Sequence, residues 1–289
     1  MISDKELLDL NQRGFFPGVG EEEEAFCRRV EVCEIFFHNP GQFFENLGEK
    51  PPFSLATPVQ RHHWDLKRAE LKRLFDFSPD WLPAFYQSKG LAFWHGAMTW
   101  IFTSQEKKAK FALLQFRASL KKGSYLGFYQ LDEMMAHEAV HAARMAFEEP
   151  VYEELFSYLT SSRRLGRVLG PIVKRRYEMT LFILFLSTGL LFQFLEFFLA
   201  AKLLYTCTWG WLLLGCSRLF KVHRSFNKAH KNLFSLVKER TFFVLLRLSD
   251  QEIRHFSKIS SQEILQFSEK ESSLRWRLLR LAYFQERPS

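Results

Sequence analysis

Residues 134–158 read MMAHEAVHAARMAFEEPVYEELFSY. His137 and His141 stand four apart with Glu138 beside the first, and Glu148, Glu149, Glu153 and Glu154 follow within thirteen residues of the second histidine. No Gly or Pro interrupts the chain between Gly127 and Pro150, and the residues between them are strong helix formers. A helix is therefore expected over 132–147, with Asp132 as its N-cap. Pro150 stops that helix and suits the first position of a second one over 151–161. On a helix, positions i and i+4 project from one face, one turn apart. Two neutral imidazoles so placed can fill two corners of a zinc tetrahedron. Glu138 can then reach a metal-bound water without binding the metal itself, which is the position of a general base.

A third protein ligand is needed, and Glu149, Glu153 and Glu154 are the candidates. Glu148 and Glu149 sit at the turn, where a carboxylate is also stabilised by the dipole of the following helix. The apolar positions of the second helix are Val151, Tyr152, Leu155, Phe156 and Leu159. At about 100° per residue Glu154 falls nearer the edge of that face than Glu153, so Glu154 is expected to turn inward. Tyr158 could donate to an oxyanion or serve only in packing. Arg144, one turn past His141, could orient a carboxylate or pair with Glu148. His62, His63 and His95 read as ordinary surface or core histidines.

HEAVH (137–141) followed by a glutamate opening ELFS (154–157) resembles the zincin metallopeptidases of the gluzincin type. The match covers about 25 of the 289 residues. Ser157 stands where the family usually has alanine, and Phe147 stands where a metzincin would carry its third histidine. The resemblance implies zinc held by His137, His141 and Glu154, with Glu138 as the catalytic base and a peptide or protein as substrate. It also implies that a strand before the active helix aligns substrate in extended form, with 110–119 or 124–129 as the candidates.

Working outward, the chain before the motif alternates with period two over 97–104 and 110–119, joined by the turn-like SQEKKAK. An antiparallel hairpin is the natural reading, with a shorter strand over 124–129. Upstream, 64–77 reads as an amphipathic helix, and 1–60 as acidic, Pro-interrupted and loop-rich around one short helix at 24–37. Strands followed by two ligand helices make an α+β, zincin-like catalytic core. The organisation expected is an acidic N-terminal segment (1–60), a catalytic core (61–170), a membrane hairpin (171–220) and a basic helical C-terminal region (221–289).

The membrane segment is read from charge. Residues 179–195 and 203–217 carry no charged side chain, and Glu196 and Lys202 stand between them. One span needs ~20 apolar residues, so each run is slightly short alone, while 179–201 could make a single span. Lys174, Arg175 and Arg176 precede the segment, and Arg218, Lys221 and Arg224 follow it. Positive charge on both flanks favours a two-pass hairpin with both ends in the cytoplasm. The expected location is thus a membrane, a bacterial inner membrane with the catalytic domain on its cytoplasmic side. MISDKELLDLNQ, at the N-terminus, does not read as a secretory signal.

Composition agrees in part. The formal net charge is +8, with pI near 9.3. Arg163, Arg164 and Arg167 extend the basic belt, which suits anionic lipid headgroups as partners. A nucleic-acid partner fits less well, because the nearby aromatics lie in the apolar run rather than among the basic residues. Thirty-two phenylalanines fit lipid contact. The four cysteines form no CxxC pair, which suits a reducing compartment. Downstream, Ser249 with Glu252 and Ser260 with Glu263 have capping-box spacing, and SSLRWRLLRLAYF reads as a basic amphipathic helix. The alternative function class is a non-enzymatic membrane-associated adaptor whose metal site is structural or degenerate; such a site has no need of Glu138.

Overall fold

A computed structural model of the chain describes residues 1–172 and 176–284, so Lys174 and Arg175 of the expected basic belt lie outside the described residues. Helices α1 (Asp4–Gln12), α2 (Glu23–His38), α3 (Pro40–Asn46) and α4 (His62–Phe75) lead into strands β1 (Ala84–Tyr86), β2 (Ala97–Ser104) and β3 (Ala109–Phe116). A two-rung ribbon, β4 (Ser124–Tyr125) and β5 (Tyr129–Gln130), precedes α5 (Leu131–Ala143) and α6 (Pro150–Leu159). Then come α7 (Arg164–Leu169), α8 (Arg176–Phe194) and α9 (Phe198–Val237), followed by α10 (Thr241–Leu246), α11 (Asp250–Phe256), α12 (Ser261–Lys270) and α13 (Leu274–Leu279). The fold is α+β, with a small sheet inside a mostly helical molecule.

β2 and β3 pair antiparallel from Ala97 opposite Phe116 to Ser104 opposite Ala109, as the alternation predicts. β1 adds to the far side of β3 in parallel, so the order is β1-β3-β2 and β2 is an edge. Two expectations need correction here. Residues 124–129 do not join this sheet; Leu126 and Gly127, both at positive φ, fold them into the separate β4–β5 ribbon. Residues 110–119 do not form one strand: β3 ends at Phe116 and Ala118–Lys122 turn as a 3₁₀ helix, while β3 is paired along its length with β2 and over Leu114–Phe116 with β1.

α5 packs on β2, α4 and α6 through Ala136, Ala139, Ala142 and Ala143, all buried, because a methyl side chain lets backbones approach closely. Its N-cap is Gln130, not Asp132. Asp132 and Glu133 lie inside the first turn, where the helix dipole favours acids. The helix also ends four residues earlier than expected, at Ala143. Glu148 adopts φ 54°, reversing the chain, and Pro150 opens α6 at its first turn.

Residues 1–60 carry three helices rather than one. Phe36 of α2 packs on Phe111 of β3 with ring centroids 4.6 Å apart, and Phe44 of α3 meets Phe102 of β2 at 5.4 Å. Sixteen of the 32 phenylalanines are buried in the core, so that part of the aromatic load reflects packing rather than lipid. The core is continuous from Ile2 to Tyr283. Both capping boxes are formed. The C-terminal helix is not a free basic surface: Trp276 is fully buried, and Arg275 pairs with Glu252 at 2.6 Å inside the molecule.

α8 and α9 form an antiparallel helical hairpin. Arg218 bonds Glu178 at its foot at 3.0 and 3.1 Å, Phe182 packs on Trp211 with centroids 5.3 Å apart, and Tyr205 donates to Gln193 at 2.8 Å near its tip. The reversal comes at Glu196, at φ 65°. This break rules out a single helix over 179–201. Large apolar side chains point outward along the hairpin; Leu199 is 85% exposed and Leu214 73%. Among the described residues one stretch, Phe198–Leu246, is long and apolar enough to cross a membrane, and only 17% of its most apolar window is buried. Beyond that window α9 enters the globular part, burying Val222, Phe226, Ala229, Leu233 and Val237 at three- and four-residue steps.

Candidate metal centre

α5 and α6 pack side by side and bring three donor groups together. His137 Nε2 and His141 Nε2 lie 3.2 Å apart. Glu154 places one carboxylate oxygen 3.8 Å from His137 Nε2 and the other 3.8 Å from His141 Nε2. One ligand atom from each lies within 4.8 Å of the others. Donors on a tetrahedral zinc with bonds of ~2.0–2.1 Å stand roughly 3.3 Å apart, so this donor set fits zinc after small side-chain shifts.

Glu153, expected to turn inward less easily than Glu154, also reaches the site, at the other nitrogen of His141: its carboxylate lies 2.6 Å from Nδ1. The helix-face estimate placed Glu154 correctly and missed this, because the floor of the cleft is itself polar and draws in both carboxylates. A carboxylate on the second imidazole nitrogen favours the tautomer that would leave Nε2 free to bind a metal. Glu149 is not part of this group; its carboxylate accepts the backbone N–H of Asp250. Arg144 does not pair with Glu148, which goes to Lys110. Arg144 is fully buried and donates to the carbonyl oxygen of Leu248 at 3.1 Å, and also to that of Leu246.

Burial and neighbouring charge set the protonation states. Burial works to lower the pKa of His141, but Glu154 and Glu153 overcome this and raise it to about 10. Burial and the charge of His141 push His137 well below its ordinary value. The two carboxylates thus favour the charged form of His141, and burial beside that charge favours the neutral form of His137. Glu138 is buried, which raises its carboxyl pKa, against the opposing effects of His141 and Thr99. The Thr99 hydroxyl lies 2.7 Å from Glu138 Oε2 and 3.1 Å from the Glu138 carbonyl oxygen. Tyr158, its ring centroid 4.8 Å from that of His137, is raised by burial and then by the charges of Glu154 and Glu138. Its phenol therefore stays a donor.

These groups line a cleft of about 500 Å³ whose opposite wall is β2, including Met98, Thr99 and Ile101. His95, which reads as an ordinary histidine in the sequence, also lines it. Thr99 escaped the sequence reading, although a polar residue on the face of an alternating strand opposite Met98 and Trp100 was a usable sign. Asp250 carried no local sign at all. Its carboxylate accepts the N–H groups of Val151 and Tyr152 at 2.8 and 3.3 Å, capping α6 from about a hundred residues away. Compared with known proteins, the chain matches no family model, no curated protein and no solved structure.

Proposed function

We propose that the protein is a membrane-anchored zinc-dependent metallopeptidase of zincin-like architecture. The observation that carries the reading is the convergence of His137, His141 and Glu154 on one point, with the buried carboxylate of Glu138 beside them. Bound zinc would supply the Lewis acid that acidifies a water and polarises the scissile carbonyl. Glu138 takes the proton of the attacking water and delivers it to the leaving amine, oriented throughout by Thr99. Its raised pKa brings it closer to neutrality, which suits a group that must both accept and release a proton. Tyr158 supplies a hydrogen bond to the oxygen on which charge develops. Peptide lies extended along β2, the free sheet edge that borders the cleft, in place of the two strands expected from the sequence.

The hairpin of α8 and α9 is the membrane anchor. Its outward apolar side chains support this, since a contiguous exposed surface of that kind is unfavourable in water. Arg218, Lys221 and Arg224 at the foot put both ends on the cytoplasmic side by the positive-inside rule, facing anionic headgroups as lipid partners.

Metal analysis of the purified protein tests the centre. Wild type is expected to hold close to one zinc per chain, and His137→Ala and His141→Ala to hold none. Equal zinc in all three proteins would remove the reading.

A further inference from the structure

The ligand cluster and the hairpin are in closer contact than their separate roles require. The chain leaves α6 at Thr160 and reaches the hairpin foot at Ile172, and this short strap touches both. The Tyr158 ring, which packs on His137, lies against the backbone of Gly170 so closely that a Cβ there would collide with it. Two residues on, the carbonyl oxygen of Ile172 accepts from Arg218 at 2.8 Å. The Ile172 side chain packs on Gly215, where a Cβ would come within 3.3 Å of it, inside the apolar run of α9. An unbroken line of contacts thus joins the metal ligands to the apolar hairpin.

The surface around this line is amphipathic. α7, within the strap, exposes Leu165 (74%), Val168 (53%) and Leu169 (47%) beside Arg163, Arg164 and Arg167. Across the mouth of the site stand Leu126 and Phe128, also exposed, on the turn of the β4–β5 ribbon. Phe128, Met134, His137, Tyr158 and Leu165 help to line an open pocket of about 560 Å³ that shares His137 and Tyr158 with the cleft. Single exposed apolar residues are ordinary. Here they come from two separate elements, of which Phe128 and Leu165 line one opening together with Arg163 and Arg164, and those of α7 are interleaved with guanidinium groups. That combination matches a bilayer boundary, where apolar side chains enter the acyl region and arginines meet lipid phosphates. A second protein would need acidic and apolar groups in the same register; the hairpin already brings lipid to this level.

We propose that the metal cleft opens on the membrane surface, and that its substrate is the juxtamembrane segment of a membrane-tethered polypeptide. This rests on the membrane-anchored peptidase reading. Leu165, Val168 and Phe128 enter the headgroup boundary, and Arg163, Arg164 and Arg167 hold phosphates. A chain tethered to the same bilayer reaches β2 at high effective concentration, whereas a soluble chain must pass between rim and headgroups.

The test uses the full chain, with Cys27, Cys33, Cys207 and Cys216 replaced, in vesicles of phosphatidylcholine with added phosphatidylglycerol. Nitroxide labels at Leu165→Cys, Val168→Cys, Leu213→Cys and Val19→Cys report depth through collisions with oxygen and a water-soluble nickel chelate. Leu213 is expected deep in hydrocarbon, Leu165 and Val168 just below the phosphates, and Val19 in water. Replacing Arg163, Arg164 and Arg167 by Gln should release the two α7 labels into water without moving Leu213. Leu213 in the bilayer with both α7 labels in water overturns the proposal and leaves the anchor standing; Leu213 in water overturns both. For the substrate, one fluorogenic peptide is compared lipid-anchored and free, with at least tenfold faster cleavage of the anchored form expected. Equal rates sink the substrate assignment, and cleavage of neither form sinks it together with the peptidase reading.

Discussion

At the scale of single residues, the histidine pair and Glu138 were legible because a helix fixes the direction of i and i+4 side chains from spacing alone. Glu154 was legible from the same geometry. Glu153 was not, because its role depends on where the second nitrogen of His141 points, and that is set by the packing of α5 on α6. The two glutamates are expected to separate in experiment. Glu154→Gln removes a ligand oxygen's charge and should empty the site at micromolar zinc. Glu153→Gln should keep the metal but weaken it ~10–100-fold, the usual effect of losing a carboxylate behind a metal-bound histidine. Zinc affinities from competition with a chelator measure both; an unchanged affinity for Glu153→Gln would make its 2.6 Å contact with His141 incidental.

At the scale of elements, the β2–β3 hairpin, the ligand helices and both capping boxes were readable from periodicity and breakers. Their placement was not, because β1 joins through a parallel pairing between residues about thirty apart in the chain, and no local pattern encodes that. The same limit hid the support of α6. Its first backbone N–H groups end on Asp250, while the N–H of Asp250 ends on Glu149. These reciprocal caps fix the start of the helix that carries Glu153 and Glu154. Asp250→Asn keeps the acceptor oxygen and should be mild. Asp250→Ala should cost about 1–2 kcal/mol of stability, as for loss of an N-cap, and lower zinc affinity in the folded protein. Denaturant unfolding with and without zinc separates the two effects. Asp250→Ala with wild-type zinc affinity would mean that α6 is held by its packing alone.

At the scale of the whole molecule, the separate segments suggested by composition are tied by buried charge. Arg247 bonds Asn11 together with the carbonyl oxygens of Phe75 and Phe243, linking α1, α4 and α10. Glu252 accepts from Arg275 and Trp276. Burial works to raise the Glu252 pKa, but Arg275, Ser249 and Trp276 hold it below the ordinary 4.5. Its contribution to stability is therefore complete above that value and is lost as pH falls through the lower folded value. Asp250 and Glu149, raised by burial, act in the opposite sense, so the test is a comparison. Glu252→Gln should lower the melting temperature at pH 7 and narrow its gap to wild type below about pH 4; a gap independent of pH would exclude this role. Apart from the Ser249–Glu252 capping box, this network was not visible in the sequence, because its partners are up to 236 residues apart. The central claim is hydrolysis at the His137–His141–Glu154 centre, and one variant addresses it directly. Zinc content and cleavage of a fluorogenic peptide library are measured on wild type and Glu138→Gln, both reconstituted in membranes. The expected result is equal zinc in the two proteins, with cleavage by the variant reduced ~10²–10⁴-fold. Cleavage by Glu138→Gln at the wild-type rate, with zinc bound, would contradict it.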